Sequence, residues 1–415
     1  MVSMAQLRDL DVAAWQTGAD EWTARYTNLL STVTYLHEDL DPRVSAGAWT
    51  GPSGDAAIAH LRAVINGLEI DALECQAVSL VLSGLTHAFR ITQSSLLSAL
   101  GAARLSGFPV GEDGVVRLPN TTMARHDPEY AQWCRTQQIR LQKQVDQAVD
   151  AATLVDGKAY QLLDHLSQQT FVTDVGVALD EDVGMASKLE VELIAGTIPE
   201  GDADQVGAWW VSVPPQDRQL LQQAVPWALE NLNGIPADVR RSLSGDGGYD
   251  RGQAAKWAVD HWNDDTTDLF DESCTEFASE ALKAGGVDNH VELFGDSWYE
   301  GPQTGDKVVD ANDFSHSASW ARAQESFDFW TAHGAEVAMT DARPGDVLYW
   351  ETPAAGGGSG TVHHTAVVTA VVDGDIRYTQ HNIDQGNASL GARDPIARLG
   401  DSRDVIHVVR PRPDW

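Results

Sequence analysis

Cysteine is scarce. Among 415 residues there are three, Cys75, Cys134 and Cys274. So few, so scattered, exclude a disulfide framework and a cysteine-rich zinc site. Basic residues are few as well: Lys and Arg number 28 against 61 Asp and Glu, a formal net charge of -33. Such a surface repels nucleic acid and anionic membranes, so neither is an expected partner. No stretch approaches the roughly 18 apolar residues that a membrane span needs. The first residues lack a basic region followed by an apolar run, so an ordinary signal peptide is not expected. There is no Gly-x-Ser-x-Gly turn, which removes the usual serine-hydrolase elbow.

What is present begins with helix periodicity. Val12, Trp15, Ala19, Trp22, Tyr26, Leu29, Val33, Leu36 and Leu40 step by threes and fours, the a/d pattern of a heptad seam. After a break that runs to Gly54, Leu61, Leu68, Cys75, Leu82, Phe89 and Leu96 recur every seven residues. Two such helices predict an antiparallel hairpin, with Cys75 in its core. Residues 105–126 read as a loop with a short strand near Val116. A third long helix carries Leu141, Val145, Ala148, Ala152, Val155, Ala159, Leu162 and Leu166 on one face, and Cys134 on its backward extension. A short helix is expected at Met185–Ile194.

The break between the first two helices contains Trp49-Thr50-Gly51. Here the chain resembles the Trp-X-Gly family of type VII secretion substrates, over roughly its first hundred residues. That resemblance implies export without a cleaved signal, to the cell envelope or medium, and contact with the secretion machinery or a helical partner. The family's Tyr-x-x-x-Asp/Glu signal is matched in letters by Tyr160 and Asp164, and also by Tyr35 and Asp39. Residues 205–245, with Trp209-Trp210 and Pro214-Pro215, resemble a connector that precedes hydrolase domains in proteins of this build.

The chemistry concentrates near the end. Cys274 opens a stretch in which Phe277, Ala278, Ala281 and Leu282 recur at helical spacing before Gly285-Gly286. A cysteine in a first helical turn is favoured as thiolate by the helix dipole and free N–H groups, and a thiolate is the form that attacks carbonyl carbon. Strands are then expected at 345–350, 362–372, 376–382 and 405–409. Asp373-Gly374 signals a two-residue hairpin. Counted back from that turn, Ala366 falls opposite His381 and His364 opposite Ile383. His364 and His381 then share a face, on the order of 7 Å apart at the backbone. A bulge would undo the count. The constellation assigns Cys274 as nucleophile, His364 as general base and His381 as the group that orients it, with Asn382 the other candidate for that third role. A zinc site built from His363, His364, His381 and His407 is disfavoured, because adjacent histidines leave a strand on opposite faces; no cofactor is expected. Trp298, Tyr299, Trp320 and Trp330 fit a substrate groove and a core equally.

Residues 249–415 resemble the amidase domain family, within the papain-like fold of NlpC-type cell-wall peptidases. The matching elements include Tyr249-Asp250-Arg251, Cys274-Thr275 with Phe277 and Ser279, Pro344-Gly345-Asp346-Val347, His364-Thr365-Ala366-Val367-Val368 and Gln380-His381-Asn382. The family's Asp before the cysteine and Asn two after it are replaced by Ser273 and Glu276. A carboxylate at 276 would raise the thiol pKa. The whole reads as a multidomain chain: an all-α hairpin at 1–110, a helical extension at 111–204, an adaptor at 205–245 and an α+β papain-like domain with an antiparallel sheet at 246–415. The expected activity is cysteine-dependent cleavage of an amide bond in a peptidoglycan peptide. The alternatives are a non-catalytic interaction module and a toxin with the same fold.

Overall fold

The computed structural model describes residues 1–47, 51–120, 126–168, 172–245, 247–264, 273–292, 296–300, 316–354, 360–400 and 402–415. Trp49 and Thr50 of the tripeptide lie outside the described residues. The order is helices first, then a helix-backed antiparallel sheet.

Helix α1 (Val12–Tyr35) starts where the Asp11 side chain accepts a hydrogen bond from the Ala14 N–H. Its buried residues are Ala19, Tyr26 and Val33, one per heptad on the expected seam. It packs on α2 (Pro52–Leu105), whose 54 residues span roughly 80 Å. Pro52 occupies the first position of α2, where its missing N–H costs nothing. The expected α2 seam does not stay buried. Phe89 and Leu96 lie in the core, but Leu61, Leu68, Cys75 and Leu82 are half-buried, while Ile70, Leu73, Ala77 and Leu80 go inside. An α-helix drifts by about 20° per heptad, so a strict sevenfold column rotates off one partner. Beyond residue 79, α2 is enclosed by α1, by α3 (Pro128–Gln168) and by α4 (Gly184–Ala195). Cys75 is therefore at the margin of the core, whereas Cys134 is buried. On α3, six of the eight expected seam residues, Leu141, Val145, Ala148, Ala152, Val155 and Ala159, are buried against α2 in one hydrophobic cluster. The helix axes of α2 and α4 approach so closely at Gly84 that a Cβ there would meet the Glu190 Cα at 2.9 Å.

Residues 203–243 form short helices, among them α5 (Ala203–Ser212) and α6 (Pro215–Ala224). Their Trp209, Trp210, Leu220, Leu221 and Leu229 share a core cluster with Ile91 of α2 and with Ala370 and Val372 of the sheet. This connecting block is thus glued to both neighbours by apolar burial.

The sheet has six strands in the order β1-β6-β2-β3-β4-β5: β1 (Gly334–Val337), β2 (Val347–Thr352), β3 (Thr361–Val372), β4 (Asp375–Gln380), β5 (Gln385–Ser389) and β6 (Val405–Pro411). β1 and β5, short and poor in β-branched residues, gave no sequence signal. The β3–β4 turn is as expected: Asp373 and Gly374 both have positive φ, 50° and 82°, and Val372 pairs with Asp375. The register then slips between Val368 and Ala370, which leaves Thr369 as a bulge. One sheet face packs on α7 (Arg251–Asp260), α8 (Cys274–Ala284) and α9 (Ala323–Ala332). Trp298, Trp320 and Trp330 are fully buried there, which settles them as core. The other face holds Leu348, Ala366, Val368, Tyr378 and Leu390.

Charged contacts tie the sheet to the helices. His87 and Ser83 of α2 hold Asp373 at the hairpin turn, at 2.8 and 3.2 Å. Arg377 of β4 pairs with Glu190 of α4 and with Asp375. The side chains of Arg377 and Glu190 are each only 2% exposed. Burial pushes the Glu190 carboxyl upward, and Arg377 opposes that shift. Removing one member of such a pair strands the other charge without water, at a cost of roughly 3–5 kcal/mol. Arg377→Met is therefore expected to lower the denaturation midpoint strongly, and Arg377→Met with Glu190→Met to recover most of the loss. Chemical unfolding of the three proteins checks this.

Candidate active site

Cys274 is the first residue of α8, and it is 7% exposed. The helix start is pinned from outside the helix. Asn382, just past β4, accepts from the Ser273 N–H at 2.7 Å, and from the Ser273 hydroxyl at 3.2 Å, on its Oδ1. Asn382 has φ 77°, a left-handed conformation that asparagine tolerates better than most residues. A second clamp follows at once. Thr275 Oγ1 lies 3.2 Å from Thr365 Oγ1 of β3, and 3.8 Å from Cys274 Sγ. Further along, the Ser279 hydroxyl donates to the Trp320 carbonyl and accepts from Trp298 Nε1. The cysteine thus rides on a helix fixed to the sheet at its first turn and to the core at its second. Asp271 and Glu272, before it, lie outside the described residues.

The bulge at Thr369 rearranges the histidines. Past it, Val368 pairs with Tyr378 and Val367 with Thr379, one step off the regular count. Continued by that step, Ala366 meets Gln380 and Thr365 meets His381. His364 therefore shares a face with Gln380 rather than with His381. Its Nε2 lies 2.8 Å from Gln380 Oε1. The Gln380 amide is oriented by its own donation from Nε2 to the Ile383 carbonyl, 3.2 Å. The oxygen facing His364 can only accept, so Nε2 carries the proton and Nδ1 is the basic nitrogen. Burial holds the His364 pKa below its ordinary value, and the Gln380 bond works against that shift. The ring is half-buried, with Trp350 at 5.1 Å between centroids.

His381 turns to the helix side. It is 1% exposed, stacks on Phe277 of α8 at 4.1 Å, and places Nε2 2.8 Å from the His261 carbonyl. It packs against the Cys274 helix without reaching His364, so the orienting contact expected of it belongs to Gln380. His364 bonds Gln380 and not Cys274: with Ala366 and Trp350 it lies on the sheet face away from α8, whereas Thr365 faces α8 and meets Thr275, so the expected base and the nucleophile stand on opposite faces of the sheet. His363 pairs with Asp404 at 3.2 Å, and His407 lies between Glu336 and Glu351. Each of these histidines has its own partner. Among the described residues no group of His, Cys, Asp and Glu could hold a metal ion. Glu276, in the first turn of α8, is buried.

Residues 248–403 match the family model described as Putative amidase domain. No curated protein and no solved structure matches the chain. The match covers α7, α8, the aromatic core, the strands that carry His364 and Gln380, and His381 just past β4. It supports an amide-directed hydrolase for this region, built on the sheet and helices just described.

Two contributors were not read from sequence as such. The sequence offers Gln380 only as a letter of the Gln380-His381-Asn382 motif, and Asn382 only as an alternative third member. An asparagine directly after a strand is a signal for a left-handed residue, and it could have marked the clamp. Asn382→Gly keeps the left-handed backbone but removes the acceptor from the Ser273 N–H. The loss of such a helix-start bond costs about 1 kcal/mol. A lowered unfolding midpoint in Asn382→Gly, with an unchanged circular dichroism spectrum, is the expected outcome.

Proposed function

We propose that the C-terminal region is a cysteine-dependent amidase, with Cys274 as nucleophile and His381 as general base. The observation that carries this reading is the place of His381 on the helix side of the sheet, stacked at 4.1 Å on Phe277 of the Cys274 helix. Its Nε2 lies 2.8 Å from the His261 carbonyl, an oxygen that can only accept, so Nε2 carries the proton and Nδ1 is the basic nitrogen. In the reaction, His381 Nδ1 takes the Cys274 proton and the thiolate attacks the amide carbonyl carbon. The tetrahedral adduct collapses, the C–N bond breaks, and His381 returns the proton to the leaving amine. Water, deprotonated by His381, then attacks the thioester, releasing the carboxylic acid and the thiol.

Within this proposal the fold is papain-like and related to NlpC-type peptidases, as the order of cysteine helix first and histidine strand later suggests. The substrate is a peptide of the cell wall. The N-terminal helices serve export by a type VII route. Tyr160, exposed, and Asp164 sit one turn apart on α3, spaced for a single receptor contact.

Muropeptide hydrolysis tests the chemistry. Cys274→Ala is expected to abolish product. His381→Ala should lower kcat/KM on the order of 10²–10⁴-fold. His364→Ala should alter stability more than rate. Full activity in a folded His381→Ala protein would overturn the assignment of the base.

Export has a separate test. Full-length protein is expected in the medium of the native host, and replacement of Tyr160 and Asp164 is expected to retain it inside.

A further inference from the structure

The side chain of Asn382 is bound at one end only. One of its terminal atoms lies 2.7 Å from the Ser273 nitrogen and 3.2 Å from the Ser273 hydroxyl. A backbone N–H can only donate, so that atom is the oxygen, and the two ends of the carboxamide are not interchangeable. The oxygen is committed to the start of α8. The nitrogen, Nδ2, is the end left over, and it makes no hydrogen bond among the described residues. Asn382 is exposed, so Nδ2 is open to a molecule arriving from solvent.

That open end stands beside the nucleophile. Ser273 has ψ 4°, which eclipses its nitrogen with the nitrogen of Cys274. A carboxamide that grips the first of these nitrogens is next to the second. The base is adjacent as well, since His381 directly precedes Asn382. In an extended strand, consecutive side chains point apart. The left-handed turn at Asn382, φ 77°, breaks that alternation. Both side chains then reach α8, His381 at Phe277 and Asn382 at Ser273. Glycine would serve such a turn at least as well, so the backbone alone does not call for a carboxamide here.

We infer that Asn382 is a catalytic residue whose Nδ2 donates to the carbonyl oxygen of the scissile amide. The inference rests on the amidase reading above and adds one group to that site. As the Cys274 thiolate forms the S–C bond, the carbonyl π pair moves onto the oxygen. The negative charge stays there until the pair returns, the C–N bond breaks and the proton held by His381 passes to the amine. A donor already in place when the charge appears stabilises it without reorganisation. Asn382 is held in place by Ser273 before any substrate arrives. The nitrogen and oxygen of an amide share one carbon, so a base and a donor on consecutive residues can serve both.

Two full-length variants test this against a merely structural role. Asn382→Asp keeps an acceptor for the Ser273 N–H, tolerates the left-handed backbone and removes the donor. Asn382→Gly removes the donor without adding charge. On the muropeptide that the wild type hydrolyses, kcat in both is expected to fall on the order of 10²–10³-fold, the cost of one lost oxyanion donor. KM should change less than about threefold, because the bond strengthens only as charge develops. The unfolding midpoint of Asn382→Asp should match the wild type. In Asn382→Gly, iodoacetamide should alkylate Cys274 within about threefold of the wild-type rate, read by mass spectrometry of its peptide, since thiol and base are untouched. Wild-type kcat in a folded Asn382→Asp protein, or alkylation in Asn382→Gly that falls in step with kcat, would sink the role of Asn382 and leave the amidase reading standing. A wild-type protein that cleaves no muropeptide would remove both.

Discussion

A single extra residue in one ladder governs the candidate site. Thr369 bulges out of the β3–β4 pairing, and the residues beyond it move by one place. Side chains alternate along a strand, so a shift of one exchanges the two faces. Gln380 comes to His364, and His381 goes to the cysteine helix. The bulge is itself held. The Thr369 hydroxyl donates to Asn387 Oδ1 at 2.7 Å and lies 3.1 Å from the Thr379 hydroxyl. Those buried bonds satisfy a polar side chain that would otherwise oppose the irregular geometry.

The cysteine depends on the same sheet from the other direction. Its helix would have a loosely held first turn, because Ser273 makes no capping bond to the turn it precedes. Asn382 and Thr365 replace that cap with contacts from the end of β4 and the middle of β3. The nucleophile's position is therefore a property of the sheet register as much as of its own helix. A change that slipped the register would misplace base and nucleophile together.

The helical body is bound to this sheet rather than tethered to it. The buried Arg377–Glu190 pair, the grip of His87 on the hairpin turn, and the apolar cluster of Trp209, Leu221, Ile91 and Val372 all cross the junction. Such buried charged pairs specify a geometry more than they add stability. They make the hairpin that carries the candidate site part of one packed unit with α2 and α4.

Much of this was legible in the residues themselves. The order of helices before sheet, the heptad seam of α1, the buried face of α3, the Asp373-Gly374 turn and the cysteine at a helix start follow from local periodicity and turn chemistry, which depend on neighbours a few residues apart. What the sequence could not decide involves partners far along the chain. Cys75 left the core because a sevenfold column drifts around α2, which meets several helices in turn. Trp298, Trp320 and Trp330 became core because three helices close over that sheet face. The partner of His364 changed because a bulge costs no recognisable letter: Thr369 is a good strand residue, and only its bonds to Asn387 and Thr379, across the assembled sheet, make the irregular register the stable one.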